Sequence, residues 1–140
     1  MRGVRPIAAL ALAACGSAGR EAASGSSTDG GLRVVASAGA LAAPDSVDAG
    51  WTRLRVDEDG AGHIVVVFRL ADGTTLREWV ASEGETGTDV AGMARLGAGR
   101  TAYLPVALPA GEYVAYCLIP DARTRQPHAM LGMVRALHVE

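Results

Sequence analysis

Four side chains of this chain have the chemistry of soft or borderline metal donors: His63, Cys117, His128 and Met133. Two imidazoles, one thiolate and one thioether are the donor set of a mononuclear copper site. The sulfurs suit Cu(I), the imidazoles suit both oxidation states, and a weakly held thioether tunes the potential more than it holds the ion. Taken singly, each donor also has a plainer reading. Cys117 reads as a buried small hydrophobe, Met133 as a core residue, and His63 and His128 as turn residues. The third histidine, His138, reads as a surface or edge residue. No other chemistry stands out. The chain has no G-x-S-x-G, HExxH, CxxC or P-loop motif. No nucleophile and base stand in recognisable relation, so the chain does not read as an enzyme. Asp57-Glu58-Asp59-Gly60 reads as a turn and lacks the spacing of a calcium loop.

These donors need elements to position them. Leu32–Ala36 is a short strand candidate. Trp51–Val56 alternates, with Thr52, Leu54 and Val56 on one face and Trp51, Arg53 and Arg55 on the other, as in a half-buried strand. His63–Leu70 is an apolar, β-branched run expected of a central strand. Thr74–Ser82 predicts a short helix capped by Thr74, with Leu76, Trp79 and Val80 in one stripe. Residues 83–99 hold five Gly and read as loop. Thr101–Leu108 and Glu112–Ile119 are strands joined by the turn Pro109-Ala110-Gly111, and Met133–Val139 is the last strand. Trp51 and Trp79 read as packing residues. Many short strands separated by turn signals favour an antiparallel sandwich or barrel.

The first fifteen residues, MRGVRPIAALALAAC, read as an address. Arg2 and Arg5 precede a short apolar run that is well below the roughly 20 residues a membrane-spanning helix needs. A signal peptide over residues 1–14 fits better. The Leu12-Ala13-Ala14-Cys15 ending resembles the lipobox of bacterial lipoproteins, which implies lipidation of Cys15 and a protein held at the cell envelope, outside the cytoplasm. Residues 15–31 then form a lipidated Cys and a small, polar, Gly/Ser-type tether. The folded domain is expected over residues 32–140. With Cys15 consumed by lipid, Cys117 has no partner for a disulfide, and a lone thiol in an oxidising compartment has to be buried or used. All 13 basic residues are Arg, the formal net charge is −2, and there is no basic block, which argues against a nucleic-acid partner.

In its last third the chain runs G-E-Y-V-A-Y-C-L-I-P and then P-H-A-M-L-G-M. The order of these residues resembles the cupredoxin family, of the plastocyanin and azurin type. The resemblance implies an all-β Greek-key β-sandwich with one short helix. It implies His63 as the early His ligand, Cys117 as the thiolate, His128 as the second His and Met133 as the axial Met of a single Cu(I)/Cu(II) ion. The family's His-x4-Met spacing is present as His128-Ala-Met-Leu-Gly-Met133, and its aromatic residue four positions before the Cys is Tyr113. Gly111-Glu112-Tyr113 resembles the tyrosine corner of Greek-key sandwiches. One spacing departs from the family. Two to four residues usually separate the Cys from the second His, and here ten intervene, Leu118–Pro127. Lengthening the loop costs only about 1 kcal/mol in closure entropy, and Asp121–Thr124 is expected to fold into its own turn. Met130 is a second thioether in the same loop, and Arg123 and Arg125 read as solvated charges or as a lure for an acidic partner.

The expectation is therefore an extracytoplasmic, lipid-anchored copper protein that carries single electrons between envelope partners. Two other functions stay open at this point. One is a copper chaperone or sequestering protein that exchanges the ion with a copper-donor protein. The other is a metal-free module of the same fold with a structural or protein-binding role.

Overall fold

A computed structural model describes residues 31–60, 62–93 and 95–140. The expected signal peptide, the lipidation site Cys15 and the tether up to residue 30 lie outside the described residues. Nine strands and one short helix follow in order: β1 (Leu32–Ser37), β2 (Ala40–Ala42), β3 (Ser46–Val47), β4 (Gly50–Glu58), β5 (Val65–Leu70), α1 (Leu76–Ala81), β6 (Gly87–Gly92), β7 (Thr101–Leu108), β8 (Gly111–Cys117) and β9 (Val134–Val139). They form a four-stranded sheet in the order β2-β1-β4-β7 and a five-stranded sheet in the order β3-β9-β8-β5-β6. The β1–β4 and β3–β9 pairs are parallel and the remaining pairs antiparallel. This is the expected all-β Greek-key sandwich with one short helix.

The period-2 pattern of each strand decides what the sandwich buries. Leu32, Val34 and Ala36 of β1, Leu54 and Val56 of β4, and Val106 and Leu108 of β7 supply one inner face. Val65 and Val67 of β5, Tyr113, Ala115 and Cys117 of β8, and Leu137 and Val139 of β9 supply the other. Each fully buried aliphatic side chain contributes about 1.5–3 kcal/mol of transfer free energy. The outer face of the five-stranded sheet is covered as well. Val66, Phe68 and Leu70 of β5 and Val114 and Tyr116 of β8 pack with Trp79 of α1 and Ala129. Strand β8 is thus buried on both faces, which explains the continuous apolar run that precedes the candidate thiolate. Tyr113 closes the predicted tyrosine corner: its hydroxyl donates to the Pro109 carbonyl at 2.5 Å.

Four expectations are corrected. The helix is capped by Thr75 and not Thr74, in a full capping box with Glu78. The segment read as loop over 83–99 contains β6, an edge strand whose residues are largely exposed, so no apolar alternation marked it. Gly87 opens β6 at φ 150°, where an added Cβ would collide with the Arg69 carbonyl oxygen and the Phe68 ring. Trp51 is not a packing residue: it is 81% exposed, because the alternation that buries Leu54 and Val56 turns Trp51, Arg53 and Arg55 outward. Finally, Asp57 and Glu58 are not a turn. They complete β4, and Glu58 is only 2% exposed.

Candidate metal centre

The site is built from two pairs of side chains at one end of the sandwich. The first pair lies on the connection from β8 to β9. Cys117 is the last residue of β8 and faces the inter-sheet core with Tyr113 and Ala115, fully buried. Its Sγ lies 3.7 Å from Nδ1 of His128. Met133 is 1% exposed in the same core cluster. Backbone bonds tie the three residues together. The Cys117 N–H donates to the Met133 carbonyl at 3.2 Å, and the Met133 N–H donates to the His128 carbonyl at 2.9 Å. His128 itself is half-buried and opens a 3₁₀ turn, His128–Leu131.

The ten intervening residues do not loosen this arrangement, because they fold back on themselves. The His128 N–H donates to the Ile119 carbonyl at 2.9 Å, and Pro120 and Pro127 bridge beside it. Within the excursion the Asp121 N–H donates to the Gln126 carbonyl at 2.8 Å and the Arg125 N–H to the Asp121 carbonyl at 2.9 Å. The Asp121 carboxylate accepts from the backbone N–H groups of Thr124 and Arg123 and from the Thr124 hydroxyl. Those backbone bonds, Thr124 first and Arg123 next, hold the Asp121 carboxyl below the ordinary carboxylate range. The expected self-contained turn is present. Only Leu118 separates Cys117 from Ile119, whose carbonyl begins the stem that pins His128.

The second pair lies where the chain crosses from one sheet to the other, between β4 and β5. His63 is 4% exposed. Its Nδ1 stands 3.0 Å from both carboxylate oxygens of Glu58. Two backbone donors complete the carboxylate's contacts: the Gly60 N–H at 2.7 Å to Oε1 and the His63 N–H at 2.8 Å to Oε2. Because Val65 pairs with Cys117 in the β5–β8 register, the segment just ahead of β5 arrives beside the end of β8. The His63 and His128 rings meet there, with centroids 5.7 Å apart and planes inclined by 59°.

Three of the four sequence-predicted donors, Cys117, His128 and Met133, therefore lie together on the β8–β9 connection, and the fourth, His63, paired with Glu58, reaches them through its ring contact with His128. No three His, Cys, Asp or Glu side chains among the described residues close into one metal-holding group. The donor chemistry nevertheless fits a metal. Two ligands held at about 2.0–2.3 Å in tetrahedral array stand about 3.6 Å apart, which matches the Cys117–His128 separation of 3.7 Å. His138 takes no part: it is exposed on β9 and bonds Glu112. Glu58 is the member that the sequence reading missed. Continuing the Leu54, Val56 alternation by one more step places residue 58 on the buried face, and that was the available signal.

Next to Cys117, Tyr116 faces the opposite side of β8 and packs against Trp79 with ring centroids 4.8 Å apart. Burial, aided by the neighbouring Asp89 carboxylate, pushes its phenol up to about 12, so it stays neutral at physiological pH.

The fold is that of the cupredoxins. Auracyanin from the photosynthetic bacterium Roseiflexus castenholzii is similar over 77% of this chain and 94% of that one, with a TM-score of 0.55 and 17% identity. Rusticyanin from Thiobacillus ferrooxidans is similar over 78% of this chain and 75% of that one, with a TM-score of 0.50 and 16% identity. Auracyanin A from Chloroflexus aurantiacus, described as a "blue" copper protein, is similar over 77% of this chain and 96% of that one, with a TM-score of 0.50 and 14% identity. No protein-family model and no curated protein sequence matches the chain.

Proposed function

We propose that this protein binds one copper ion through His63, Cys117, His128 and Met133 and carries single electrons outside the cytoplasm, anchored to the cell envelope by lipid on Cys15. The observation that carries the reading is the Cys117–His128 pair, Sγ to Nδ1 at 3.7 Å, at the end of a doubly buried strand. Support for copper comes from the donor set and from a fold shared with a protein described as a blue copper protein. Support for a location outside the cytoplasm comes from the leader sequence. No helix among the described residues is long and apolar enough to cross a membrane; the attachment proposed is the lipid on Cys15.

Copper would supply a one-electron couple between Cu(II) and Cu(I). The chain's residues do the rest. Cys117 and Met133 are buried and keep water from the sulfur side. The Ile119–His128 stem and the Met133–Cys117 backbone bond fix the backbone at three donors through the chain's own hydrogen bonds. A donor set that moves little between oxidation states lowers the reorganisation that electron transfer requires. His128, half-buried, is the site's outlet, and Leu118, next to Cys117 in the chain, and Leu131, at the end of the His128–Leu131 turn, are 47% and 48% exposed. The partners are the membrane, through the anchor, and a redox or copper-donor protein that docks over this end. The closed stem favours the electron carrier over a sequestering module, since it supplies the rigidity that a ten-residue loop alone lacks.

The test uses the protein carrying Cys15→Ser, one equivalent of Cu(II) and a Cys117→Ser control. An intense thiolate-to-copper charge-transfer band, absent in the control, is expected. A colourless protein that retains Cu(I) would favour copper handling. Equal thermal stability with and without excess copper would sink the copper reading, because an ion bound at about 100 times its Kd stabilises by about 2.7 kcal/mol.

A further inference from the structure

We propose that the outer face of the four-stranded sheet docks on an anionic bilayer surface, with Trp51 and Tyr103 in the headgroup layer and Arg33, Arg53 and Arg55 against lipid phosphates. The proposal rests on the lipid-anchor reading, which brings the domain to a membrane, and not on the copper reading.

The strand pattern assembles the face. The alternation that buries Leu54 and Val56 turns Trp51, Arg53, Arg55 and Asp57 of β4 outward. The β4–β7 register sets Arg55 beside Tyr103, and the β1–β4 register sets Arg33 beside Arg55. Trp51 is 81% and Tyr103 55% exposed. The guanidinium carbons of Arg53 and Arg55 lie 5.1 and 5.9 Å from the Tyr103 ring centroid, so cations and aromatic ring form one surface. Like charges on neighbouring strands repel. Asp57 gathers that pair, accepting from Nε of Arg33 at 2.7 Å and from Nε of Arg55 at 2.9 Å. It is the one acidic side chain at the outward-facing positions of β1, β2, β4 and β7, against three Arg. The whole chain has 15 acidic residues to 13 basic, so the positive charge of this face is local.

Position and chemistry name the occupant. Leu32 opens β1, and the first outward-facing residue after it is Arg33, so the chain from Cys15 enters the domain at this face. Residues 16–31 span at most about 55 Å, so lipid on Cys15 keeps the face within reach of a bilayer at high effective concentration. Trp and Tyr concentrate at membrane–water interfaces, where an apolar ring with a polar edge is at home. Each Arg near an anionic surface strengthens partitioning about fivefold. The face also lies apart from the metal centre. Trp51 stands about 24 Å along β4 from Glu58, which meets His63 at the far end of the strand. Cys117, His128 and Met133 belong to the β8–β9 connection of the other sheet. Docking by this face leaves the His128 edge open to a soluble partner.

The test expresses the full chain in a bacterial host and reads the mass of the product, which judges cleavage and lipid at Cys15 by itself. The product, lipid-bearing or free, is then combined with vesicles of phosphatidylcholine, with and without phosphatidylglycerol. Trp51 is the reporter, because Trp79 is 1% exposed and sheltered from acrylamide. With phosphatidylglycerol, Trp51 emission should shift to the blue, acrylamide should quench it less, and brominated acyl chains should quench it. Salt at about 1 M, where the Debye length is about 3 Å, should reverse all three. On phosphatidylcholine alone Trp51 should stay open to acrylamide. In the double variant Arg33→Gln/Arg53→Gln, both at exposed positions, the ratio of shielded to open Trp51 should fall about 25-fold. Trp51 equally open on both vesicles overturns the proposal, whatever the mass shows, and leaves the face to an acidic protein. Equal shielding of wild type and double variant overturns it too, since the lipid or the leader alone would then account for the contact. A product without lipid whose Trp51 is still shielded on phosphatidylglycerol fails the anchor reading and supports the face.

Discussion

The two halves of the site are held by different means. Cys117, His128 and Met133 lie within one short stretch of chain and are fastened by backbone bonds around a closed hairpin. Side-chain chemistry in that half is left free for a ligand. His63 is fastened by a side chain, the buried carboxylate of Glu58, which spends its acceptors on three N–H positions. The first half tolerates a ten-residue excursion because its closure lies at the stem, between Ile119 and His128. The second half tolerates almost nothing, because its precision depends on one buried carboxyl group whose oxygens meet three N–H positions. A site assembled in this way has one side that keeps its shape through the chain and one that keeps it through burial.

The largest effect should therefore come from emptying the buried half. Glu58→Ala strands three N–H groups in the interior. Breaking a buried pair by removing one partner costs about 3–5 kcal/mol. For a domain of this size that is a fall in Tm of about 10 °C or more by calorimetry, measured without metal. A fall of only a degree or two would mean that the carboxylate is not the fastening. Gly60→Ala comes next. The added methyl presses on both His63 and Glu58, and overpacking of this kind costs about 1–3 kcal/mol. It should also broaden the NMR signals of His63 more than those of His128.

Met133→Leu separates packing from ligation in the other half. The swap conserves volume, so the metal-free protein should lose less than about 1.5 kcal/mol. The visible spectrum and reduction potential of the copper form should change clearly, since a thioether tunes the ion. A variant whose copper spectrum matches the wild type would remove Met133 from the ligand set and return it to the core, where its 1% exposure already places it.

The same contrast explains what the sequence disclosed. The Cys117–His128–Met133 half was legible because its donors keep the family's order within 17 residues, and His128 and Met133 keep its spacing. The strands around it were legible as well: β7 falls on its expected limits and β8 within two residues of its expected end. Glu58 was hidden because Asp57-Glu58-Asp59-Gly60 has the composition of a turn, and composition outweighed the alternation running through it. Only the meeting of the β4 end with the segment before β5 makes that carboxylate useful, and such a contact has no local signal. The strand β6 was hidden for a related reason. Its partner β5 defines it, and its own exposed, Gly-containing residues carry no pattern. Trp51 was misjudged because size suggested burial, while the face it shares with Arg53 and Arg55 pointed to solvent.

The smallest expected effect concerns the excursion itself, and acid should reveal it. Asp121 is half-buried, and its carboxylate accepts from Thr124 and Arg123, which hold its pKa below the ordinary value of about 3.9. A carboxyl depressed in the folded state supports the fold fully above its unfolded pKa and loses that support as pH falls through the folded pKa. Nothing should change between pH 6 and 8. Below about pH 4, amide exchange at Arg125 and His128, whose N–H groups close the turn and the stem, should quicken. The His63 amide, bound to the buried Glu58 carboxylate, should stay protected until the whole domain opens. In Asp121→Ala the faster exchange at Arg125 and His128 should already be present at pH 7 and should lose its acid dependence. Equal protection of the two histidine amides in acid would mean that the stem is fastened as firmly as the core, and the distinction between a half held by the chain and a half held by burial would collapse.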